Sequence, residues 1–423
     1  MPDWHGQREN VVTPMHSCLS CSTRDVRVLV DFGSQPPSNR FERGEAAPCE
    51  THPLVVGQCG RCGLIQLINP MPYTQVKSHF EWLTYNEPEG HLDTLVDRLR
   101  QLPGIGSGSR IIGLTYKDDS TIARFNKLGH TNTYRVQAQA DLGFTDACAG
   151  LESIQAAINA SMVTKLAGKH GQADLLLVRH VLEHAHDPRA ILSALKALVK
   201  PDGYLIFEMP DCAKFIKACD CTFVWEEHIT YFNAQTLEAC VAHSGLEMRE
   251  TIIYPYPLED SLIGIVNNAP SAVTRKKKQD AEETLLAEGI RFANQYAVSR
   301  TKLQSLFGVW QQAGKKVAIF GAGHLAAKFI NLYSLEGLVH CVIDDNSHKK
   351  QLLMPGSRLA IRSSTELEAG GIDYCLLSLN PESEQKVRAK YQSYLDRGGR
   401  FLSIFASSPN SVYKTQEHES AKN

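Results

Sequence analysis

The distribution of apolar and polar residues predicts alternating strands and helices between about residues 105 and 268. A continuous apolar run at 175–178, inside "ADLLLVRHVLEH", is typical of a strand that is buried on both faces. A helix is predicted over 187–199 with Asp187 as its N-cap, and the apolar stretch 204–210 predicts the next strand. This alternation indicates a doubly wound α/β sheet.

A second α/β region is predicted over residues 314–408. The stretch "KKVAIFGAGHLAAKFINLY" reads as a strand, a glycine turn at Gly321 and Gly323, and a helix. The next predicted strand, 341–346, contains Asp344, which follows the glycines by about twenty residues. Such an acid is placed to bind a ribose hydroxyl, so this region carries the dinucleotide-binding fingerprint in its full context.

The remaining segments connect or end these regions. Residues 71–104 are expected to connect the N-terminal part of the chain to the first α/β domain, 105–270. Charged and then amphipathic residues with few helix breakers predict a linker helix over 271–313. The polar segment 409–423 is expected to be a disordered tail.

Four of the twelve cysteines form two Cys-x-x-Cys pairs, Cys18 with Cys21 and Cys59 with Cys62. Four thiolates complete a closed tetrahedral shell around zinc, and no further residue suggests an open coordination position. Residues 1–70 are therefore predicted to form a domain with a structural zinc site.

Overall composition narrows the class of protein. Hydrophobic residues make up 43% of the chain and charged residues 21%, as in globular proteins, and the net charge of −2 predicts no nucleic-acid partner. No apolar run is long enough to span a bilayer and the N-terminus is polar, so we expect no membrane association and a cytoplasmic location.

The order of these parts resembles the sugar C-methyltransferases that act on nucleotide-activated keto-deoxysugars. The resemblance is carried by "CLSC" with "CGRCGLIQL", by "VLEHAHDPRAILSALKALVKPDGYLIFEMP", by "FVWEEHITYF" and by "FGAGHLAAKF" with "VIDDNSHKK". It implies a zinc-binding N-terminal domain, a central class I S-adenosylmethionine-dependent methyltransferase domain, and a C-terminal Rossmann-like domain that helps to bind the nucleotide-sugar.

Methyl transfer to carbon requires a base that removes a proton next to a ketone and a partner that polarises the ketone oxygen. His228 is the candidate base, because imidazole titrates near neutral pH, and Glu227 beside it is placed to orient it or share the proton. His184 follows a predicted strand, where ligands bind in doubly wound sheets, and Tyr85 resembles the substrate-side tyrosine of the family.

The family motif Tyr-His-Glu-His reads Trp-Glu-Glu-His here, so its first two positions differ. The candidate substrate-binding residues are Trp225, Glu226, Gly321, Gly323, His324 and Asp344.

The candidate cofactor-binding residues are Gly113, Thr115, Asp118 and His180. In the family, the turn after the first strand reads like Glu-x-Gly-x-x-Asp-Gly. Asp118 is retained here, whereas Thr115 and Asp119 replace the glycines, and no acid follows in "YRVQA". Side chains at these positions crowd the approach of a ligand to the backbone, which predicts weak S-adenosylmethionine binding.

Three functions remain open from the sequence. The first is a methyltransferase on a nucleotide-sugar or a related carbohydrate. The second is a degenerate relative that binds a nucleotide-sugar without methylating it, and the third is an oxidoreductase that uses the C-terminal fingerprint for NAD. The sequence names neither the sugar nor the oligomeric state.

Overall fold

The computed structural model describes residues 16–44, 49–83, 85, 87–146, 148–269 and 279–415. The strands are β1 (Val26–Gln35), β2 (Glu42–Arg43), β3 (His52–Cys59), β4 (Ile65–Ile68), β5 (Ile111–Gly113), β6 (Thr133–Arg135), β7 (Ala173–Arg179), β8 (Val199–Asp211), β9 (Thr230–Tyr231), β10 (Glu247–Tyr254), β11 (Asp260–Asn267), β12 (Val317–Phe320), β13 (Cys341–Ile343), β14 (Leu352–Leu353), β15 (Ile361–Arg362), β16 (Tyr374–Leu377) and β17 (Arg400–Ser403).

The α-helices are α1 (Tyr73–Val76), α2 (Leu92–Leu99), α3 (Asp119–Lys127), α4 (Leu151–Ala157), α5 (Ala160–His170), α6 (Pro188–Leu195), α7 (Ala213–Ala218), α8 (Ala234–His243), α9 (Gln279–Gln312), α10 (His324–Leu332), α11 (Thr365–Ala369), α12 (Pro381–Lys390) and α13 (Gln392–Asp396). Short 3-10 helices span Tyr116–Asp118, Leu182–His184, Lys196–Leu198, Cys221–Phe223, Ser347–Lys349 and Val412–Lys414. In the described part of the chain, no helix is long and apolar enough to cross a membrane.

The central domain is built on a six-stranded sheet in the order β10-β11-β8-β7-β5-β6. Strands β6, β5, β7 and β8 are parallel, and β11 and β10 complete the sheet in antiparallel orientation. The predicted doubly wound sheet is thus confirmed. The chain order reverses between β5 and β7, and the carboxyl ends of parallel strands at such a point form a ligand-binding crevice.

The predicted helix and strand that follow β7 are present in this domain, but their ends differ slightly from the prediction. The Asp187 side chain accepts a hydrogen bond from the Ala190 amide, as an N-cap does, and the helix ends in a 3-10 turn at 196–198. Strand β8 begins earlier than predicted, at Val199, and its pairing with β7 shifts register between Val199 and Tyr204.

The N-terminal sheet has the order β1-β3-β4-β9, and all of its pairs are antiparallel. Its fourth strand, β9, comes from the central part of the chain, so the sheet joins two parts that are far apart in sequence. Strand β9 pairs with β4 through Tyr231 opposite Ile65. Strands of ten and eight residues, β1 and β3, make up much of the segment between the two cysteine pairs.

The C-terminal domain contains a parallel sheet in the order β15-β13-β12-β16-β17, as its strand–helix pattern predicts. Helix α9 packs on this sheet, where the Trp310 ring stacks on Tyr374 with centroids 4.0 Å apart. Strand β14 pairs with β2, which ties this domain to the N-terminal one. Residues of all three domains, including Val56, Phe215 and Phe329, belong to one apolar core.

The end of the described chain differs from the prediction of a disordered tail from residue 409. A 3-10 helix forms at Val412–Lys414, and the Val412 side chain is fully buried in the core. This burial orders the segment up to residue 415, and the rest of the predicted tail lies outside the described residues.

Candidate active site

A cleft of about 920 Å³ lies at the carboxyl ends of the parallel strands of the central sheet and extends to both flanking domains. The N-terminal domain contributes Asn39, the central domain contributes His180 and His184, and the C-terminal domain contributes His324 and Asn380. A cleft of this volume accommodates a cofactor or substrate of several hundred daltons. Its walls fix the relative positions of groups from three domains.

The segment Trp225–His228, which we call the catalytic segment, forms one wall of this cleft. The ring of His228 meets that of His184 edge to face, with centroids 4.9 Å apart. Hydrogen bonds hold the segment at its end, because the Ile229 amide donates to the Glu183 carbonyl at 2.7 Å. Burial lowers the pKa of His228, and burial together with the proximity of the His228 and His180 rings lowers the pKa of His184 well below its ordinary value. Both rings are therefore neutral, and His228 is able to accept a proton.

Glu227 faces the same cleft and is surrounded by groups that disfavour its ionisation. Burial and the carboxyl groups of Glu152 and Glu226 raise the pKa of Glu227 well above its usual range. The Asn39 amide nitrogen donates a hydrogen bond to Glu227 Oε1 at 2.9 Å. A buried carboxyl group of this kind is a proton donor near neutral pH.

Three aromatic rings line the cleft next to these groups. The indole of Trp225 stacks on the His324 imidazole with centroids 4.2 Å apart and an interplanar angle of 12°. Tyr85 meets both rings edge to face, at 4.9 Å and 5.3 Å. The indole nitrogen of Trp225 is buried and has no hydrogen-bond partner among the described residues. The predicted substrate-side residues Tyr85, Trp225 and His324 thus converge.

Glu226 does not share this position, although it was predicted to bind substrate. Its carboxylate is fully buried, where it pairs with Lys328 Nζ at 2.5 Å and accepts hydrogen bonds from Ser38. Since Ser38 belongs to the N-terminal domain and Lys328 to α10, Glu226 connects two domains behind the cleft and leaves no oxygen free for a substrate.

The turn after β5 is closed by its own side chains. Asp118 accepts hydrogen bonds from the amides of Leu114 and Thr115 through Oδ2 and from the Arg179 amide through Oδ1. Thr115 Oγ1 accepts from the Lys117 amide. The turn therefore uses internally the amides that a glycine-rich turn would present to a ligand.

This closure corrects the prediction that Thr115 and Asp118 bind the cofactor, because both side chains are buried and neither lines the cleft. Gly113 does not line the cleft either, and its role is to allow close packing of the turn against β5. A Cβ atom at Gly113 would lie 2.7 Å from Asp118 Cβ and from Ile122 Cδ1, so only glycine fits. At the end of β6, Arg135 pairs with Asp119 at 3.0 Å.

Next to this turn, charged side chains rather than backbone amides line the cleft. Lys117 Nζ contacts Glu87 Oε2 at 2.5 Å, and both residues line the cleft. His180 lies beside them with φ of 53°, a left-handed conformation that is rare for residues other than glycine and clusters at functional sites. Although burial opposes it, hydrogen bonding to Glu183 and nearby carboxylates raise the pKa of His180 to about 10. This wall therefore presents two cations and at least one carboxylate.

The polar groups of the C-terminal fingerprint are also bonded to residues of their own domain. Asp344 Oδ2 accepts from the Ala322 amide at 2.9 Å and pairs with Lys349 at 2.8 Å. Gly321 has φ of +101°, and a Cβ there would meet Ser378 Oγ at 2.8 Å. Of the predicted residues Gly321, Gly323, His324 and Asp344, the structure brings only His324 into the cleft. Asp344 accepts a hydrogen bond from its own turn and does not face the cleft, where a ribose would bind.

The four predicted metal ligands come together away from the cleft. The sulfur atoms of Cys18, Cys21, Cys59 and Cys62 all lie within 4.8 Å of one another, and the closest pairs are 3.5 Å and 3.6 Å apart. Tetrahedral zinc with Zn–S bonds of about 2.3 Å separates its sulfurs by about 3.8 Å, so this arrangement fits the ion. Amides of the knuckles donate to Cys18 Sγ and Cys59 Sγ at 3.4 Å and support a thiolate cluster.

Three family models match successive parts of the chain. Residues 18–75 match a model described as "Putative zinc binding domain", residues 95–251 match a methyltransferase domain, and residues 267–405 match a C-methyltransferase C-terminal domain. The chain is thus a methyltransferase whose C-terminal domain matches that of C-methyltransferases. Each matched region contributes to the cleft: Asn39 belongs to the first, His184 and Glu227 to the second, and His324 to the third.

Among curated proteins, this methyltransferase is 26% identical to C-methyltransferase NovU of Streptomyces niveus over 414 residues, which cover 93% of this chain and 96% of NovU. Two solved structures are also similar. The 1,6-didemethyltoxoflavin-N1-methyltransferase of Burkholderia thailandensis matches with 13% identity over 43% of this chain and 79% of its own, with a TM-score of 0.29. Magnesium protoporphyrin IX methyltransferase of Synechocystis matches with 13% identity over 43% and 89%, with a TM-score of 0.29.

Sequence reasoning missed several residues of the methyltransferase cleft, namely Asn39, Glu87, Lys117, Glu152 and Glu183. Glu183 stands in the "VLEH" segment beside His184, and Lys117 stands in the turn after β5, so their positions offered a signal. Asn39 and Glu152 belong to no motif, and only the folded chain brings them to Glu227.

Proposed function

We propose that this methyltransferase uses S-adenosylmethionine to methylate a carbon next to the ketone of a nucleotide-activated keto-deoxysugar. The observation that supports it is the convergence of a neutral His228, a carboxyl group at Glu227 and an aromatic wall in one cleft. Together they supply the base, the proton donor and the apolar surface that such a reaction requires.

His228 acts as the general base in this proposal. Burial keeps its imidazole neutral, so it accepts the proton from the carbon next to the ketone. The edge-to-face contact with His184 fixes the orientation of the ring. Glu227, on the same segment, donates its proton to the ketone oxygen, which prevents the build-up of negative charge there.

S-adenosylmethionine, when bound, supplies an electrophilic methyl group. The cleft fits its zwitterionic amino-acid end through side chains instead of turn amides. Lys117 and His180 are cationic partners for a carboxylate, and Glu87 is a partner for an ammonium group. These residues would hold the cofactor beside β5 and β7, next to the catalytic segment.

The substrate is assigned to the opposite part of the cleft. Trp225, Tyr85 and His324 present ring faces and edges, which suit the apolar face of a deoxysugar. Asn380, Pro381 and Glu382 extend this wall into the C-terminal domain. The nucleotide would bind there, outside the closed fingerprint turn at Gly321.

Isothermal titration tests this function. S-adenosylmethionine, NAD and keto-deoxysugars activated by uridine, thymidine or guanosine diphosphate are each titrated into the zinc-loaded chain. Binding of S-adenosylmethionine and of one nucleotide-sugar, without binding of NAD, supports the proposal. Binding of a nucleotide-sugar alone would instead identify a relative that binds without methylating, and binding of NAD alone would identify an oxidoreductase.

A further inference from the structure

Glu152, at the start of α4, lies near Glu227 in the cleft wall. One carboxylate oxygen of each residue and a ring nitrogen of His184 lie within 4.8 Å of one another. Both carboxyl groups are buried, and burial together with the Glu152 carboxyl group raises the pKa of Glu227. Gly150 makes room for this arrangement, since a Cβ there would lie 3.0 Å from Glu152 Oε2.

The cations around this pair are bound to other groups. Lys328 pairs with Glu226, and His180 hydrogen-bonds to Glu183. Lys117 Nζ is bound to Glu87 Oε2 at 2.5 Å and to the Tyr85 carbonyl at 2.7 Å. Arg40, on the side of the N-terminal domain, donates to the Lys77 carbonyl at 2.7 Å. Each cation acts on the pair only from a distance.

The other groups that face the pair do not favour two negative charges. Glu226 adds a further carboxylate behind Glu227, and His184 is neutral. The phenols of Tyr85 and Tyr116 stay protonated, because burial and these carboxylates raise their pKa values. Asn39 provides one hydrogen bond to Glu227. Two adjacent carboxyl groups in such surroundings hold one proton between them.

We propose, on the basis of the function proposed above, that Glu152 is a positioning residue that shares a proton with Glu227 and keeps it available for the ketone oxygen. The C–H bond next to the ketone breaks, and its proton moves to His228. The ketone oxygen gains the shared proton. The enol carbon would bond to the methyl group of the bound cofactor as the methyl–sulfur bond breaks, and the sulfur would keep that electron pair and leave as a neutral thioether. The oxygen then returns its proton to the pair as the C=O bond re-forms, and His228 releases one proton to solvent.

Glu152→Gln tests this role because glutamine keeps the size of the side chain but cannot share the proton. Its amide would donate to an ionised Glu227, so the high-pH limb of the kcat profile should move down by about 1 to 2 pH units. We expect kcat at pH 8 to fall about 10- to 100-fold, with KM changed less than about threefold. Glu336→Gln, at an exposed glutamate, is the control and should leave the profile unchanged.

A high-pH limb that stays in place in Glu152→Gln, whatever the loss of kcat, would overturn the proposal, because a purely structural residue lowers activity at every pH. A second measurement does not depend on turnover. Infrared spectroscopy of the wild-type chain at pH 7.5 should show the C=O stretch of a buried protonated carboxyl group, and Glu152→Gln should lack it. An unchanged band would also overturn the shared proton. Presence of the band in a chain that methylates no keto-sugar would refute the proposed function and leave the shared proton standing.

Discussion

The side-chain amide of Asn39 donates a hydrogen bond of 2.9 Å to Oε1 of Glu227, and so connects the zinc-binding domain to a carboxyl group of the active site. The same nitrogen donates to the Val76 carbonyl, and Asn39 Oδ1 accepts from Arg40. These contacts fix the orientation of the amide, which must present its nitrogen to Glu227. The N-terminal domain thus contributes a side chain to the cleft in addition to the cysteine cluster.

Asn39→Asp replaces the donor with a second carboxylate. We expect kcat to fall about 10- to 100-fold, since a buried hydrogen bond to an ionisable group contributes about 1–3 kcal/mol and its loss misplaces Glu227. Steady-state kinetics measure the effect. Asn126→Asp, at an exposed asparagine of α3, is the matched control. Equal kinetics of the two variants would show that the contact has no role in the reaction.

The zinc cluster should support activity through the strand that follows it. Strand β4 begins three residues after Cys62 and pairs with β9, and the Leu67 amide donates to the Ile229 carbonyl at 2.8 Å, directly after the catalytic segment. We expect Cys62→Ser to lose the metal, the fold of the N-terminal sheet and most activity, because metal binding and folding are coupled in such domains.

Elemental analysis and thermal unfolding check this prediction. Cys219→Ser, which changes a cysteine outside the cluster, should retain one zinc per chain. A Cys62→Ser chain that keeps its full zinc content would contradict the assignment of the ligands.

The cofactor should depend on Lys117 more than on the turn residues next to it. Lys117→Met removes a cation from the cleft wall, and we expect the affinity for S-adenosylmethionine to fall at least about tenfold, because a charge-assisted contact contributes about 1.5–3 kcal/mol. Thr115→Gly, two residues away at a buried side chain, should change the affinity less than about threefold. Titration calorimetry distinguishes the two positions, and the reverse order would show that the turn itself binds the cofactor.

Asp118 should make the stability of the chain depend on pH. Burial raises the pKa of Asp118 from 3.8 to about 6, although three backbone amides favour its ionised form. A carboxyl group with a raised pKa in the folded state stabilises the fold at low pH, and this contribution is lost as the pH rises through about 6. We expect it to cost about 1–2 kcal/mol of unfolding free energy between pH 5 and pH 7.5.

Urea unfolding of the wild type and of Asp118→Asn at these two pH values measures this contribution as a difference. The variant should be less stable at both values, because its amide cannot accept all three hydrogen bonds, but should lose less stability as the pH rises. An identical pH dependence in the two chains would contradict the raised pKa.

The sequence predicts what depends on local spacing. The four cysteines, the cap at Asp187 and the strand–helix alternation of both α/β domains follow from periods of a few residues, and the structure agrees with them. His184 follows β7 at the carboxyl edge of the central sheet, where ligand-binding residues lie, and the ring of His228, in the loop before β9, meets it there.

The predicted site residues differ from the structure where a side chain could hydrogen-bond either to a ligand or to the backbone of its own turn. Asp118 and Asp344 both stand at positions that bind ligands in related folds, and both accept amides of their own turns instead. Glu226 is adjacent to two catalytic candidates but meets Lys328 from another domain. Residues so far apart in the chain form no local sequence pattern, so the sequence does not predict the pairing of Glu226 with Lys328. The proximity of Glu152 to Glu227 could not be predicted for the same reason.

The most direct test of the proposed chemistry is the position of the transferred methyl group. The zinc-loaded chain is incubated with methyl-¹³C-labelled S-adenosylmethionine and with the nucleotide-activated keto-deoxysugar that binds to the chain in the titrations. The product is analysed by NMR. We predict a labelled methyl group on the carbon next to the ketone, and a loss of about 100- to 10,000-fold in His228→Ala, as for removal of a general base. A label on oxygen, or full activity of His228→Ala, would contradict this account.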